Sequence, residues 1–559
     1  MRRIQGVAAS KGVAVAPIIV IEEETVVVPN MDDPAGALVA AGSAVSAHLS
    51  NLSAEAAERG RKDAAEVLNA QALMAEDSMI ADAVEEHLDD GENFDTALQN
   101  AATELQAMLA SLPDPYLAAR AADVGEVTDR LRRHLAGLPL SKGLSITEPS
   151  ILCAAQITAA ETATLDPNLV VGFATVEGGP TSHVAIIARS IGVPAVVGIP
   201  DLLTQVQSGE IGGIDGSTGE LFVDLDDTMR EELETRAAAE AAAHEAAQKF
   251  KGKRVSYRDA PVRVSANVAN LDDVERAVAQ NADGVGLMRT EFLFMDRPAP
   301  PSEDEQVEVY TTALSSFSDP VVIRTFDIGG DKPADFLEVD EEENPFLGVR
   351  GVRLYRNEPE LFRTQLRALL RAAVAGELWV MIPMVATTSE LVEVKEQLSL
   401  ARDELAASST PVGDLKLGVM IEVPSAALTA DALAQHADFF SIGTNDLTQY
   451  AMAADRMSGT LEYLHDPVHP AVLALCQMTA KAGLRNGCPV SVCGEAAADP
   501  LAAALFMEMG ITKLSVSAPS VNGIKAVIDQ LDPEMMAEIQ EQALSAADAP
   551  AVRMLNYRS

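Results

Sequence analysis

The chain has 559 residues, 48% of them hydrophobic and 22% charged, the balance of a globular protein able to bury a core. At about 100–200 residues per domain, this length means three to five domains. Its 41 basic and 84 acidic residues leave a net charge of −43, which excludes nucleic-acid binding on a general basic surface. The acidic excess serves solubility or meets a basic partner protein.

Residues 1–25 are apolar and partly alternating (Val13, Val15, Ile18, Ile19, Val20), which predicts one or two strands. Their longest apolar stretch, Gly12 to Ile21, is too short to span a bilayer, and Glu22, Glu23 and Glu24 follow it. No signal-peptide architecture is present, so a cytoplasmic protein is expected. Cys153, Cys476, Cys488 and Cys493 lack metal-site spacing and read as reduced thiols.

From about residue 30 to 140 the pattern becomes helical. Val67, Leu73, Met74, Ile80, Val84 and Leu88 recur at roughly helical spacing. Residues 31–140 carry twenty acids and seven bases. The stretch 76–95 holds nine acids (Glu76, Asp77, Asp82, Glu85, Glu86, Asp89, Asp90, Glu92, Asp95) and no Lys or Arg. It reads either as a solvated helix face or as a docking face for a basic protein.

Between about 145 and 225, short strands are expected at 150–153, 170–173, 194–197 and 219–223. The Ala/Glu-rich run 226–253 reads as a helical, semi-rigid linker. The remainder alternates strand and helix signals. Its candidate strands are Val262–Val268, Gly284–Arg289, Val321–Asp327, Trp379–Met384, Lys416–Glu422, Phe439–Gly443, Val490–Cys493 and Lys513–Val516. Eight strands with helices between them fit a (β/α)8 barrel, with a doubly wound open sheet as competitor.

Barrel enzymes carry their chemistry at the C-terminal ends of the strands. Polar side chains collect there: Arg289 after the second strand, Arg324 and Asp327 in the third, Glu422 ending the fifth. Asn445 and Asp446 follow the sixth, and Cys493 ends the seventh. Charged groups inside apolar strands are costly unless paired or coordinated, so seven polar residues on one rim, five of them charged, indicate a site. Arginine suits phosphate and carboxylate, and Glu422 and Asp446 supply hard oxygens for Mg2+. This combination points to phosphoryl transfer from a small phosphate ester.

A second constellation runs from Gly178 to Gly192. The glycines make a tight loop, and Thr181 or Ser182 can cap a helix beginning near His183. A histidine at a helix N-terminus has free backbone N–H groups nearby, which would stabilise a phosphate on its ring. The other histidines lack such a frame, although His465 and His469 lie near the rim.

The segment Gly178–Gly198 resembles the phosphohistidine motif of the enzyme I family of the bacterial phosphoenolpyruvate:sugar phosphotransferase system. Leu287–Asp296, Asp327–Lys332, Glu343–Arg350, Phe439–Tyr450 and Val492–Glu495 resemble the substrate domain of the same family. The likeness runs from Gly6 to near the C-terminus, in the same order. It implies a multidomain α/β plus α fold: a swivelling phosphohistidine α/β domain with an inserted helical bundle, and a C-terminal (β/α)8 TIM-like barrel. The implied boundaries are 1–27 with 143–226 for the phosphohistidine domain and 28–142 for a helical domain that docks the phosphocarrier HPr. Residues 227–255 would be the linker, and 256–559 the phosphoenolpyruvate-binding and dimerisation barrel. Arg120 to Arg133 lies at the end of the insert, in a segment resembling that of the family.

The resemblance also implies roles. His183 would be the nucleophile, accepting the phosphoryl group on Nε2, and Cys493 the proton donor to the methylene carbon. Arg289, Arg324, Asn445, Asp446 and Arg456 would bind phosphoenolpyruvate, and Glu422 and Asp446 would ligate Mg2+. Thr162, Lys332 and Arg350 would support them, Thr162 by holding the histidine at rest. Pro180 departs from the family, where a basic residue is common, and Ile421–Ser425 departs while keeping the carboxylate. The rivals are a pyruvate phosphate dikinase or phosphoenolpyruvate synthase, and a catalytically idle acidic scaffold. The first needs a large nucleotide-binding domain, which the residues before the histidine domain proper cannot house.

Overall fold

The computed structural model describes residues 1–557 except 22–25, 59–61, 112–120, 142–145, 159–160, 162–164, 167–168, 180–181, 296, 331, 333, 335, 338–341 and 457. The chain divides into two compact units, Met1–Ala242 and Ala243–Ser559.

The first unit opens with three strands where one or two were expected: β1 (Arg2–Gln5), β2 (Val7–Ser10) and β3 (Val13–Ile21). Five helices follow: α1 (Pro34–Glu58), α2 (Lys62–Ala75), α3 (Ser78–Asp89), α4 (Phe94–Ala110) and α5 (Ala121–Leu135). They bury one apolar core that includes Val45, Leu49, Leu68, Val84, Leu98, Val127 and Leu131. The acid-only stretch is not uniformly a surface. Asp77 caps α3, accepting from the Met79 N–H at 2.9 Å. Asp95 turns inward, binding Arg132 at 2.8 Å and the Val28 N–H at 3.3 Å.

The chain then returns to a sheet through β4 (Ser150–Ala154), β5 (Val170–Thr175), α6 (His183–Ile191), β6 (Ala195–Val197), β7 (Ile211–Asp215) and β8 (Glu220–Val223). The eight strands run in the order β1-β8-β7-β3-β4-β5-β6-β2. Strands β3 to β6 are parallel, so β4 beside β3 joins the N-terminal strands to the segment beyond the helices. Strand β7 was not foreseen, because glycines disguise it. A Cβ on Gly212 would lie 2.6 Å from Ile18 Cδ1, and one on Gly213 2.5 Å from Leu233 Cδ1. The glycines let large neighbours close over the strand. Helix α7 (Asp227–Gln248) carries the Ala/Glu-rich run.

The second unit begins with a short strand, β9 (Val255–Tyr257), paired antiparallel to the barrel strand that follows. The barrel strands are β10 (Ala260–Val268), β11 (Val285–Met288), β12 (Val321–Arg324), β13 (Leu378–Ile382), β14 (Leu415–Ile421), β15 (Phe439–Ile442), β16 (Val490–Val492) and β17 (Lys513–Ser517). All eight are parallel, and β17 pairs back to β10, which closes the barrel. The open-sheet alternative is therefore excluded. Leu287, Val322, Trp379, Met381, Met420, Phe439 and Cys493 form a buried cluster of strand and strand-end side chains. Several strands end earlier than expected. Asp327, Glu422 and Cys493 stand just beyond them, where backbone is free to turn polar groups into the mouth. No helix among the described residues is long and apolar enough to cross a membrane. All four cysteines are buried free thiols.

Candidate active site

At the C-terminal ends of the barrel strands a cavity of about 700 Å3 opens. Its walls bring together Arg289, Arg324, Lys332, Glu422, Asn445, Asp446, Arg456 and Cys493, each a residue expected to act. Residues from five strand ends converge here because parallel pairing brings all the C-terminal ends to one rim.

The centre is a buried ionic network. Arg324 donates to Glu291 at 2.9 Å and lies 3.4 Å from Asp327. Asp327 also accepts from Arg350 at 2.6 Å and from Lys332 at 3.2 Å. Burial opposes ionisation of Asp327, but the three cations win and hold its carboxyl far below the usual range. Arg350 is fully buried behind the rim and reaches toward Asp446 at 3.6 Å. It positions the carboxylates and is not part of the cavity wall. Glu291 and Asp327 carry Arg324. Asp327 is among the rim residues legible in the sequence, whereas Glu291 is not singled out there and lies only within the Leu287–Asp296 segment.

Glu422 is the opposite case. Its Oε1 accepts the Met384 N–H at 2.6 Å, and Met384 holds a left-handed φ of 61° to deliver it. Burial pushes the Glu422 carboxyl up to about 8, and the negative charges of Asp446 and Asp327 add to the push. A buried carboxyl that resists ionising, with a second carboxylate facing it, is suited to a divalent cation. Among the described residues no group of three or more His, Cys, Asp and Glu side chains forms a metal cage. Mg2+ requires none, since it is held by one or two carboxylates together with substrate phosphate oxygens. Glu422 and Asp446 therefore fit Mg2+.

The other walls are set by backbone. Asn445 and Glu495 bind reciprocally: the Glu495 N–H donates to Asn445 Oδ1 at 3.0 Å, and Asn445 Nδ2 donates to Glu495 Oε1 at 3.3 Å. Gly494 sits so close to Thr444 that a Cβ would collide with its backbone and hydroxyl. Arg456 lies 3.4 Å from Asp446 and covers the Phe346 ring at 5.4 Å. The Cys493 thiol faces the Ile442 carbonyl at 3.7 Å, and burial pushes it up to about 11. It therefore carries its proton at neutral pH. His465 also lines the cavity, and its Nε2 is buried with no partner among the described residues. His469 instead caps a helix, accepting the Ala471 N–H at 3.2 Å.

His183 belongs to the other unit, where it is the first residue of α6. Gly178, at φ 106°, starts the turn, and the Ser182 N–H donates to the Gly179 carbonyl at 2.9 Å. Ser182 occupies the N-cap with extended backbone, but its hydroxyl makes no capping bond, contrary to expectation. That hydroxyl is buried and has no partner among the described residues, because the tight turn holds it against Gly178. Gly192 ends the helix at φ 74°. Thr162, Pro180, Thr181 and the His183 ring lie outside the described residues, as does Arg120.

Three family models match the chain. They are the PEP-utilising enzyme N-terminal model at residues 5–120, the mobile-domain model at 146–219 and the PEP-binding-domain model at 243–533. A protein of Geobacillus stearothermophilus named phosphoenolpyruvate-protein phosphotransferase is 38% identical over 562 residues, 99% of this chain and 97% of its own length. Proteins of the same name from Listeria monocytogenes and Bacillus subtilis are each 37% identical, covering 99% of this chain and 98% of theirs. The chain belongs to the phosphoenolpyruvate-protein phosphotransferase family.

Proposed function

We propose that the chain takes the phosphoryl group of phosphoenolpyruvate onto His183 and passes it to a histidine of HPr, the first step of sugar uptake by the phosphotransferase system. The observation that carries this reading is the rim cavity, where arginines, a carboxylate pair and a protonated thiol converge. Its supporting context is family membership over nearly the whole chain.

In this mechanism Arg289 and Arg324 hold the phosphate, and Arg456 and Asn445 orient the rest of the substrate. Glu422 and Asp446 would hold Mg2+, which supplies charge neutralisation at the phosphate when bound. The neutral imidazole of His183 attacks phosphorus in line through Nε2, and the bond from phosphorus to the enol oxygen breaks. The electron pair of that bond forms enolate, and Cys493 gives its proton to the methylene carbon, leaving pyruvate. Burial keeps the thiol protonated for that task. The phosphoryl group on His183 would lie at the start of α6, where the Ser182 hydroxyl makes no capping bond to the first-turn N–H groups. Lys332 and Arg350 hold Asp327 and, through it, Arg324. Thr162 is assigned the resting contact of the histidine.

The same reading assigns residues 1–27 with 143–226 to the phosphohistidine domain, 28–142 to HPr docking, 227–255 to the linker and 256–559 to the barrel. It requires the histidine domain to swivel between phosphoenolpyruvate and HPr. It also makes the protein cytoplasmic and a homodimer through its barrel. The free acids of α3 would steer a basic patch on HPr. Charge reversal at Glu85, Glu86 and Asp89 should weaken docking, most at low salt, and leave self-phosphorylation unchanged.

The test is incubation with labelled phosphoenolpyruvate and Mg2+, with and without HPr. Acid-labile label should appear on the chain, vanish in His183→Ala and pass to HPr. Label that survives the substitution removes the nucleophile assignment. Pyruvate-dependent labelling from ATP would favour a dikinase instead.

A further inference from the structure

A second polar chamber, of about 750 Å3, lies at the other end of the barrel, where the strands begin. Lys513 is the first residue of β17, Lys416 the second of β14 and Trp379 the second of β13. Register makes them neighbours: Arg263 pairs with Lys513 across β10 and β17, and Trp379 with Lys416 across β13 and β14. Trp379 is 6% exposed, and its ring lies 4.8 Å from that of the buried Phe439 at a tilt of 45°, beneath the chamber. The Lys513 ammonium lies 4.1 Å and the Lys416 ammonium 4.6 Å from the centre of that one ring.

The charges in this chamber do not balance. Its walls carry Arg254, Arg263, Lys416 and Lys513 against Asp319 and Glu377, and Arg254 also reaches Asp283 at 3.2 Å, a carboxylate that Lys525 binds at 2.9 Å. Asp319 is shared between Arg254 at 2.5 Å and Arg263 at 3.7 Å, and Glu377 takes Lys416 at 3.3 Å and the Trp379 Nε1–H at 2.9 Å. Lys513 has no carboxylate partner among the described residues. Burial and the positive charges of Arg263 and Lys416 push its ammonium down to about 8, against the pull of Glu377. A barrel floor needs only apolar side chains to seal it. Gathering cations over one ring costs desolvation and repulsion, which a bound anion offsets. The surplus is more notable in a chain of net charge −43.

We propose that this chamber is a binding site for a small phosphate-bearing anion, held by Lys513, Lys416 and Arg263 above Trp379. Lysine ammoniums act as point charges for phosphate, and the chamber has the volume of a small-ligand site. None of these residues lines the catalytic cavity, so the site is separate from the one that takes phosphoenolpyruvate.

Trp379 is the only tryptophan of the chain, so its emission reports on this chamber. Inorganic phosphate is titrated into the full-length protein at constant ionic strength, and glycerol 3-phosphate in a parallel arm. A saturable change in emission is expected, and the arm with the tighter midpoint tells a free ion from an ester. Lys513→Gln should shift the midpoint about tenfold, the effect of losing one charge-assisted contact. Lys416→Gln should do the same and serves if the first variant does not fold. Emission indifferent to both anions overturns the proposal. So does a folded Lys513→Gln protein that titrates like the parent, because the signal then comes from elsewhere.

Discussion

The two ends of the barrel both collect cations, yet they differ in what accompanies them. At the C-terminal rim five cations, Arg289, Arg324, Lys332, Arg350 and Arg456, are matched by five carboxylates, Glu291, Asp327, Glu422, Asp446 and Glu495. That balance, with carboxylates and arginines on one wall, suits a divalent cation bound together with a phosphate. At the N-terminal floor Arg254, Arg263, Lys416 and Lys513 meet Asp319 and Glu377, with Asp283 shared by Arg254 and Lys525, so the surplus is positive and suits an anion alone. Local balance, rather than the net charge of the chain, decides what each mouth can hold.

The largest effect that this contrast predicts is at Arg324. Arg324→Ala removes the proposed phosphate ligand, and turnover should fall about 10³–10⁵-fold. It also leaves Glu291 buried without its arginine, while Asp327 keeps Arg350 and Lys332, which should lower stability by about 3–5 kcal/mol in a denaturant titration. A variant of normal activity would show the rim network to be structural. Cys493→Ala should be milder, lowering the rate of pyruvate formation by about 10²–10⁴-fold at near-normal stability. Because burial holds the thiol near 11, the parent should keep its proton donor throughout the neutral range. Steady-state pyruvate release against pH checks this: a fall in rate on the alkaline side that begins near neutrality and is absent from Cys493→Ala would contradict the assignment.

Much of this was legible before any coordinates. The eight barrel strands read directly because each is a short apolar run, and the rim residues because charge is conspicuous at the ends of such runs. What escaped reading has physical causes. Strand β7 was hidden by Gly212 and Gly213, which make room for Ile18 and Leu233 from distant segments. Asp95 looked like one more surface acid, yet it holds Arg132 of α5. The floor went unread because Arg263, Trp379, Lys416 and Lys513 are far apart in sequence, and only closure of the barrel makes them neighbours.

The carboxylates at the rim give a prediction in pH. The Glu422 carboxyl is raised from 4.5 to about 8 by burial and by Asp446. A folded-state pKa above the unfolded value means that the folded protein holds the extra proton between these limits. The contribution of Glu422 to stability is thus full below about 4.5 and lost as pH rises through about 8. In the proposed role of Glu422 as a ligand, Mg2+ binding would displace that proton, so affinity should rise by up to about tenfold per unit as pH climbs toward 8. Calorimetric titration with Mg2+ at several pH values, beside Glu422→Gln, measures it. In the variant the metal should bind weakly and without the slope. An equal slope in the variant would mean that Glu422 is not the titrating ligand.

The smallest effect sharpens the account of the floor by separating plug from ligand. Trp379→Phe keeps a ring beneath Lys416 and Lys513 but removes the hydrogen bond to Glu377 and part of the surface that fills the barrel. Losing one large-ring contact and one hydrogen bond should cost about 1–3 kcal/mol of stability. Phosphate binding, measured by calorimetry because the fluorescent reporter is gone, should weaken only a few-fold, since both ammoniums and Arg263 remain. If binding instead falls as far as in Lys513→Gln, the ring is placing the lysines as well as sealing the floor. The cation–π contacts at 4.1 and 4.6 Å would then be what holds the two charges ready for an anion.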